Sequence, residues 1–381
     1  MKKSGRLWLG ITGLLFCFII IHISDFSGYG FNEQFFVERA HVINVFNTNT
    51  QPDRYIPGVE VGSQQALIEI LTGEFKGQQL EIVNYLTRFG SPELSNGMEI
   101  TVSIMPDIEY LSADVMNVYG PSRNNVLIGS VIFLIISMLI MGRKRGLYAA
   151  VSLGFTLVTV LFFMVNFIVQ GHNPITFSLI TVIITTTFTL LMVSGFSKQS
   201  LSAIAGTWVG LVCAGLLTII LGRLGHISGL NLEDANQMLN HAPPDIFLRI
   251  PEMFFAGVIV AASGVVVDAA MSISSATFEI KEQSPNISTK ALYRSGMNIG
   301  GDILGANSNT LILAFAGASL PTVILIVLFG FPYLRIINMD FLAIEIIQAV
   351  SATMGMIFTI PATAVFASWL ATKEISYGKK R

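Results

Sequence analysis

The sequence predicts an all-α polytopic membrane bundle of about eight transmembrane helices, with a small extracytoplasmic β domain inserted between helices 1 and 2. Three observations carry this. Hydrophobic residues make up 52% of the 381 and charged residues only 12%, about half the charge of a soluble domain, and the mean hydropathy is +0.66. After residue 123 apolar runs recur, each close to or above the ~20 residues that cross a bilayer core. Lysine and arginine are distributed unevenly between alternate connections, which fixes an orientation. The net charge of −2 leaves no basic surface for nucleic acid.

Residues 1–24 hold the first apolar run, Leu7 to Ile23, behind Lys2, Lys3 and Arg6. Its core is long for a cleaved signal peptide and no small-x-small site follows, so it reads as a signal-anchor transmembrane helix. Cys17 and Cys213 both lie inside apolar runs and read as buried small hydrophobes.

Residues 25–122 have an ordinary polar mixture broken by Pro52-Asp53, Gly58, Gly73, Gly77, Ser91-Pro92 and Asn96-Gly97. Between these turns run short alternating segments: Phe35 to Phe46, Gln65 to Leu71, Gln79 to Val83, Met98 to Ile104 and Tyr110 to Tyr119. Period-two alternation predicts strands, and a small closed or half-closed barrel accommodates them.

Residues 123–372 form a seven-helix transmembrane domain, with spans at 125–142, 147–169, 175–194, 201–221, 252–275, 303–329 and 341–371. Residues 373–381 are a basic tail. With the N-terminus inside, the inner segments collect most of the 22 Lys and Arg, including Arg143, Lys144, Arg145, Lys198, Lys281, Lys290, Arg294 and the C-terminal cluster. The short outer loops hold only Arg223, Arg249 and Arg335. Both termini are therefore expected in the cytoplasm of a cell-membrane protein, with 25–122 extracytoplasmic. The outer loop 222–250 is expected to contain a short amphipathic helix.

Polar groups gather in the late spans. Asp268 interrupts the apolar stretch Val258 to Ile273, where a carboxylate costs several kcal/mol unless it faces the bundle, is paired or is protonated. Helical spacing aligns Gly264, Asp268, Ser272, Ser275 and Glu279. In the next span Asn298, Asp302 and Asn309 share a stripe, and the last offers Glu345, Gln348, Gly355 and Thr359. The proton or ion relay candidates are Asp268, Asp302, Asn309, Glu279 and Glu345, supported by Ser272, Ser275, Asn298 and Thr359. Plainer readings stand beside these: Asp302 as a cap at the cytoplasmic start of its helix, Glu279 and Glu345 as interfacial groups, and the threonines as interhelical glue.

Enzyme chemistry is not expected. The five histidines lack metal-ligand spacing, and there is no phosphate-cradling loop and no Gly-x-Ser-x-Gly turn. No cofactor is implied. The expected partners are the lipid bilayer and, if the chain assembles, a homologous membrane subunit in a homo- or hetero-oligomer; the substrate stays open.

Two blocks carry a resemblance to a known family. Gly264-Val-Val-Val-Asp268-Ala-Ala-Met271-Ser-Ile-Ser-Ser275 and Asp302-Ile-Leu-Gly305-Ala-Asn-Ser-Asn309-Thr-Leu-Ile-Leu-Ala-Phe-Ala-Gly317, with the outer segment Leu71-Thr-Gly-Glu-Phe-Lys-Gly-Gln78, resemble the YibE/F-like bacterial multi-pass membrane proteins. That likeness implies the architecture above and no particular activity. The same blocks are more distantly similar to the proton-coupled helices of the RND superfamily, SecD and SecF in particular, through Val267-Asp268-Ala269, Ala306-Asn307 and Thr310-Leu311-Ile312. Gly305 stands where the second block of those proteins has an aspartate, with Asp302 three residues earlier. This likeness implies a proton-coupled transporter or proton-driven export machine in which Asp268 takes up and releases protons. The alternative is a non-catalytic membrane scaffold or partner subunit.

Overall fold

The computed structural model describes residues 2–23, 36–73, 75–88, 92–104, 117–230, 232–241 and 248–373. They divide into two units, Ser27–Ser137 and Met1–Phe26 with Met138–Arg381.

Alternation in the first unit builds five antiparallel strands: β1 (Phe36–Pro52), β2 (Glu60–Ile70), β3 (Gln79–Leu86), β4 (Glu99–Ile104) and β5 (Asn117–Pro121). Their order is β3-β2-β1-β4-β5. β1 runs on to Pro52, beyond the expected Phe46, because its first residues pair with β4 while the remainder pairs with β2. Register shifts at Val42/Asn44 and Val45/Asn47 bulge the strand and increase its twist, giving a half-barrel that stays open at β3 and β5. Of the expected segment 110–119, most lies outside the described residues. Alternate residues Ala66, Ile68 and Ile70 join Val42, Ile82, Ile100, Val102 and Ile104 in one core, where each isoleucine contributes on the order of 1.5–3 kcal/mol.

At the β1–β2 turn the Asp53 carboxylate accepts the amides of Tyr55 (2.7 Å) and Ile56 (3.0 Å) and Nε of Arg88 at 2.8 Å. These bonds, the Tyr55 amide first, hold its carboxyl below the usual range.

The second unit is helical. α1 (Lys2–Ile23) places Cys17 among Phe155, Phe188 and Met192, the buried-hydrophobe role expected for it. The run Asn124–Val169, which belongs to the first unit as far as Ser137 and to the second from Met138, comprises α2 (Asn124–Val158), a π-helical turn at Thr159–Met164 and α3 (Val165–Val169). α2 is broken at Arg143 (φ 47°, ψ −122°), inside the basic turn expected between two spans. There follow α4 (Pro174–Ser194), α5 (Lys198–Leu224), α6 (Glu233–His241), α7 (Ile250–Gln283), α8 (Thr289–Ala318), α9 (Leu320–Leu328), α10 (Tyr333–Ile337) and α11 (Asp340–Thr372). Among the described residues five helical runs are long and apolar enough to cross a membrane, or six if α8 and α9, bent by 57°, count as one.

One expectation is corrected here. The span placed at 303–329 begins at Thr289, where the Ser288 side chain accepts the Ala291 amide at 3.2 Å, and it breaks at Ser319 ahead of Pro321. Asp302 therefore lies mid-helix and caps nothing. The sequence hid this start because residues 289–302, with Lys290 and Arg294, are too polar to read as a span. α6 is the short amphipathic helix expected in loop 222–250, with an acidic first turn.

α5, α7 and α11 form the centre. Gly206 and Gly210 of α5 lie directly against Thr363 and Thr359 of α11, and Gly355 of α11 against Ala214. Val266 of α7 fills the third side, against Gly210 and Gly355. Small residues at the crossing let the helix backbones approach closely.

Two outcomes follow. Gly210→Leu should overpack the crossing by about 1–3 kcal/mol and lower the melting temperature of the detergent-purified protein, while Gly264→Ala, facing open space, should leave it unchanged. For Asp53, a depressed carboxyl stabilises the sheet above its unfolded pKa and loses that contribution as pH falls through the folded one. Asp53→Asn should therefore flatten the acid limb of the sheet's stability-versus-pH curve.

Candidate functional site: a polar cleft between α7 and α8

α7 is apolar around most of its circumference and polar along one stripe. Asp268 sits near its middle, about 27 Å along a helix of this rise. It is not enclosed in the bundle interior. It opens onto a cleft of 480 Å³ lined by Asp268, Met271, Ser272 and Ser275 of α7 and by Ile303 and Asn307 of α8. Helical spacing explains the α7 side, since positions three and four apart share a face. The opposite face of α7, with Val266, Ala269, Ala270 and Ile273, is fully buried in the core.

The cleft is tied to α5. Gln199 donates from Nε2 to Ser275 Oγ at 2.7 Å. Its carbonyl accepts from Ser274 Oγ at 2.8 Å and Ser202 Oγ at 2.9 Å, and those two hydroxyls lie 2.7 Å apart. This serine–glutamine knot closes one end of the stripe. The same end of the bundle is fastened by Lys198 Nζ to the Lys373 carbonyl (2.7 Å) and by Thr289 to Thr372 (3.0 Å).

No countercharge among the described residues pairs with Asp268. Among the described residues the ion pairs are Arg39–Glu99 and Arg88–Asp53, both in the sheet. An ionised Asp268 would therefore rely on hydroxyls, the Asn307 carboxamide and water admitted by the cleft. Among the described residues no three His, Cys, Asp or Glu are grouped closely enough to hold a metal.

The remaining sequence candidates separate. Ser272 and Ser275 share the cleft with Asp268. Glu279 continues the stripe at an exposed position one turn on. Asn298, Asp302 and Asn309 are exposed together on α8, but roughly 140° around the helix from the Ile303–Asn307 face. That places them away from the core side of α8, marked by Leu292, Gly296, Gly300 and Leu311. Glu345 is half-buried at the start of α11, beside the cluster of Ile344, Ile227 and Phe255 at the other end of the bundle. Thr359 is fully buried against Gly210 and donates to the Gly355 carbonyl at 2.8 Å, so it is a packing residue. Thr185 and Thr186 likewise bond carbonyls of their own helix.

Two polar residues of this region, Asn307 in the cleft lining and Gln199 bonded to Ser275, are not among the sequence candidates. Asn307 stands in the second block, one helical turn from Ile303, and that spacing was the signal for it. Gln199 comes from the first turn of α5, and no local pattern links it to Ser275 seventy-six positions away.

Cysteine scanning tests this geometry. In a background lacking Cys17 and Cys213, Ser272→Cys and Asn307→Cys should react with a small charged methanethiosulfonate, and Thr359→Cys should not.

A model of one protein family, described as YibE/F-like protein, matches residues 130–373. No curated protein and no solved structure matches the chain. The matched range covers the whole cleft and leaves the sheet outside it. The chain belongs to that family and is a multi-pass membrane protein.

Proposed function

We propose that this member of the YibE/F-like family is a proton-coupled secondary transporter or proton-driven export machine, with Asp268 as the group that takes up and releases the proton. The observation that carries the reading is an unpaired carboxylate midway along a membrane-length helix, opening onto a polar cleft. A charge at the centre of a spanning helix costs about 2.5–3.5 kcal/mol, and the cleft gives it water and hydroxyls only from one side. A shift of α8 relative to α7 would change that hydration and hence the charge. The membrane voltage contributes about 2.3 kcal/mol per charge per 100 mV, enough to bias the step. Ser272, Ser275 and Asn307 would solvate the carboxylate, and Gln199 would hold the stripe at its end.

The proposed topology counts eight crossings: α1, the two arms of Asn124–Val169 on either side of Arg143, α4, α5, α7, α8 with α9, and α11. The charge asymmetry supports a cell-membrane protein with both termini in the cytoplasm and the β sheet outside. The proposal assigns no enzymatic step and no cofactor.

A specific observation favours a second reading, a scaffold or partner subunit. The face of α8 bearing Asn298, Asp302 and Asn309 is exposed together with Gly301 and Gly305, beside which there is open space. Polar and small residues of this kind belong against another helix rather than lipid, as a homologous subunit would supply.

Proteoliposomes carrying an entrapped pH dye, under an imposed potential, separate the two. Asp268→Asn should reduce protein-dependent proton uptake at least tenfold and Asp268→Glu should restore part of it, with reconstitution unchanged. Wild-type uptake by Asp268→Asn would end the proton reading. Unchanged uptake with loss of oligomer on Asp302→Leu would support the second.

A further inference from the structure

At the end of the bundle remote from the Gln199 knot, the start of α4, the end of α5 and the start of α7 enclose a second cavity of 380 Å³. Its floor is apolar, from Ile219, Ile227 and Phe255, and its rim carries Arg223, His226 and Glu252. Arg223 and Glu252 border the same space yet form no ion pair with each other or with any other described residue. His226, which also lines the cavity, is held in the left-handed region (φ 49°) that residues other than glycine rarely adopt. Glu252 also borders a neighbouring hollow of 320 Å³ that contains Arg249.

We propose that this cavity binds a zwitterionic head group, a phosphate beside an ammonium, with the attached apolar chain lying on the Ile219–Phe255 floor. A guanidinium presents donors matched to phosphate oxygens, and polar residues of the first turns of α4 and α7, Thr176 and Glu252, line the same space. A carboxylate that stays apart from the nearby arginine leaves an acceptor for the ammonium. An apolar floor under a charged rim is the arrangement an amphiphile fills at the membrane boundary. Were the cavity merely solvated, Arg223 and Glu252 would be interchangeable with other polar residues. This site is independent of the role given to Asp268.

The full chain, purified in detergent and stripped of lipid, can be offered phosphatidylethanolamine or phosphatidylglycerol and read by native mass spectrometry. Wild type should retain phosphatidylethanolamine at least fivefold over phosphatidylglycerol. Arg223→Gln should lose about tenfold of that retention and Arg223→Lys should keep most of it. Glu252→Gln should abolish the preference between the two lipids. Soluble glycerophosphoethanolamine distinguishes the sources: competition at millimolar levels assigns a soluble zwitterion, and its absence assigns the lipid. Equal retention of both lipids by wild type, or wild-type retention by both Arg223→Gln and Glu252→Gln, overturns the proposal.

Discussion

α5 and α11 cross where Gly206, Gly210 and Gly355 face Thr363, Thr359 and Ala214. The backbones can come this close because one partner at each level has almost no side chain. In a bilayer this matters more than in water, since lipid tails are as apolar as leucine and helices associate through close packing. α7 then lies in the groove formed by the pair, with Val266 against both glycine positions. Once Val266 and Ala269 are turned inward, the rotation of α7 is set. Asp268 falls on the outer side as a result, and α8 meets it there through Ile303 and Asn307. The cleft is thus a consequence of a helix crossing to which it contributes no residue.

The carboxylate and the knot beside it show how the bundle tolerates polarity. Ser202, Ser274, Ser275 and Gln199 satisfy one another in a closed set. Thr185 and Thr186 return their hydroxyls to the preceding turn. Among the described residues Asp268 has neither solution, since no serine bonds it and no cation pairs with it. A carboxylate without a fixed partner is a group whose surroundings can change without breaking another bond.

Much of this was legible in the chain itself. Apolar runs gave the helices, period-two alternation gave the strands, and the i, i+4 spacing of Asp268, Ser272 and Ser275 gave one wall of the cleft. Two features escaped for different physical reasons. The first turns of α8 are polar enough to resemble a loop, so hydropathy starts the span too late and makes Asp302 look like a cap. The direction of the α7 stripe, toward an open cleft rather than an enclosed core, depends on which neighbour fills the groove between α5 and α11. Periodicity reports that a helix has two faces; it does not report which one the rest of the protein claims. Thr359 was set with the polar residues for the same reason, whereas the structure uses it for packing.

The bend between α8 and α9 bears on membrane thickness. Thirty residues of α8 rise about 45 Å, well beyond a hydrocarbon core of about 30 Å, and Lys290 and Arg294 occupy the first turns. Pro321, which lacks the amide a straight helix would use, turns α9 aside by 57°. Backbone bonds from Ser319 to Phe315 and from Val323 to Ser319 (2.9 and 3.0 Å) nevertheless continue through the turn, so the angle can flex without exposing a ladder of unpaired groups. The apolar surface of α9, with Val323, Val327 and Leu328 exposed, then lies oblique to the helix that carries it. A straight helix of that length could match a thinner bilayer only by tilting as a whole; the bend instead separates the direction of α9 from that of the α8 segment bordering the cleft.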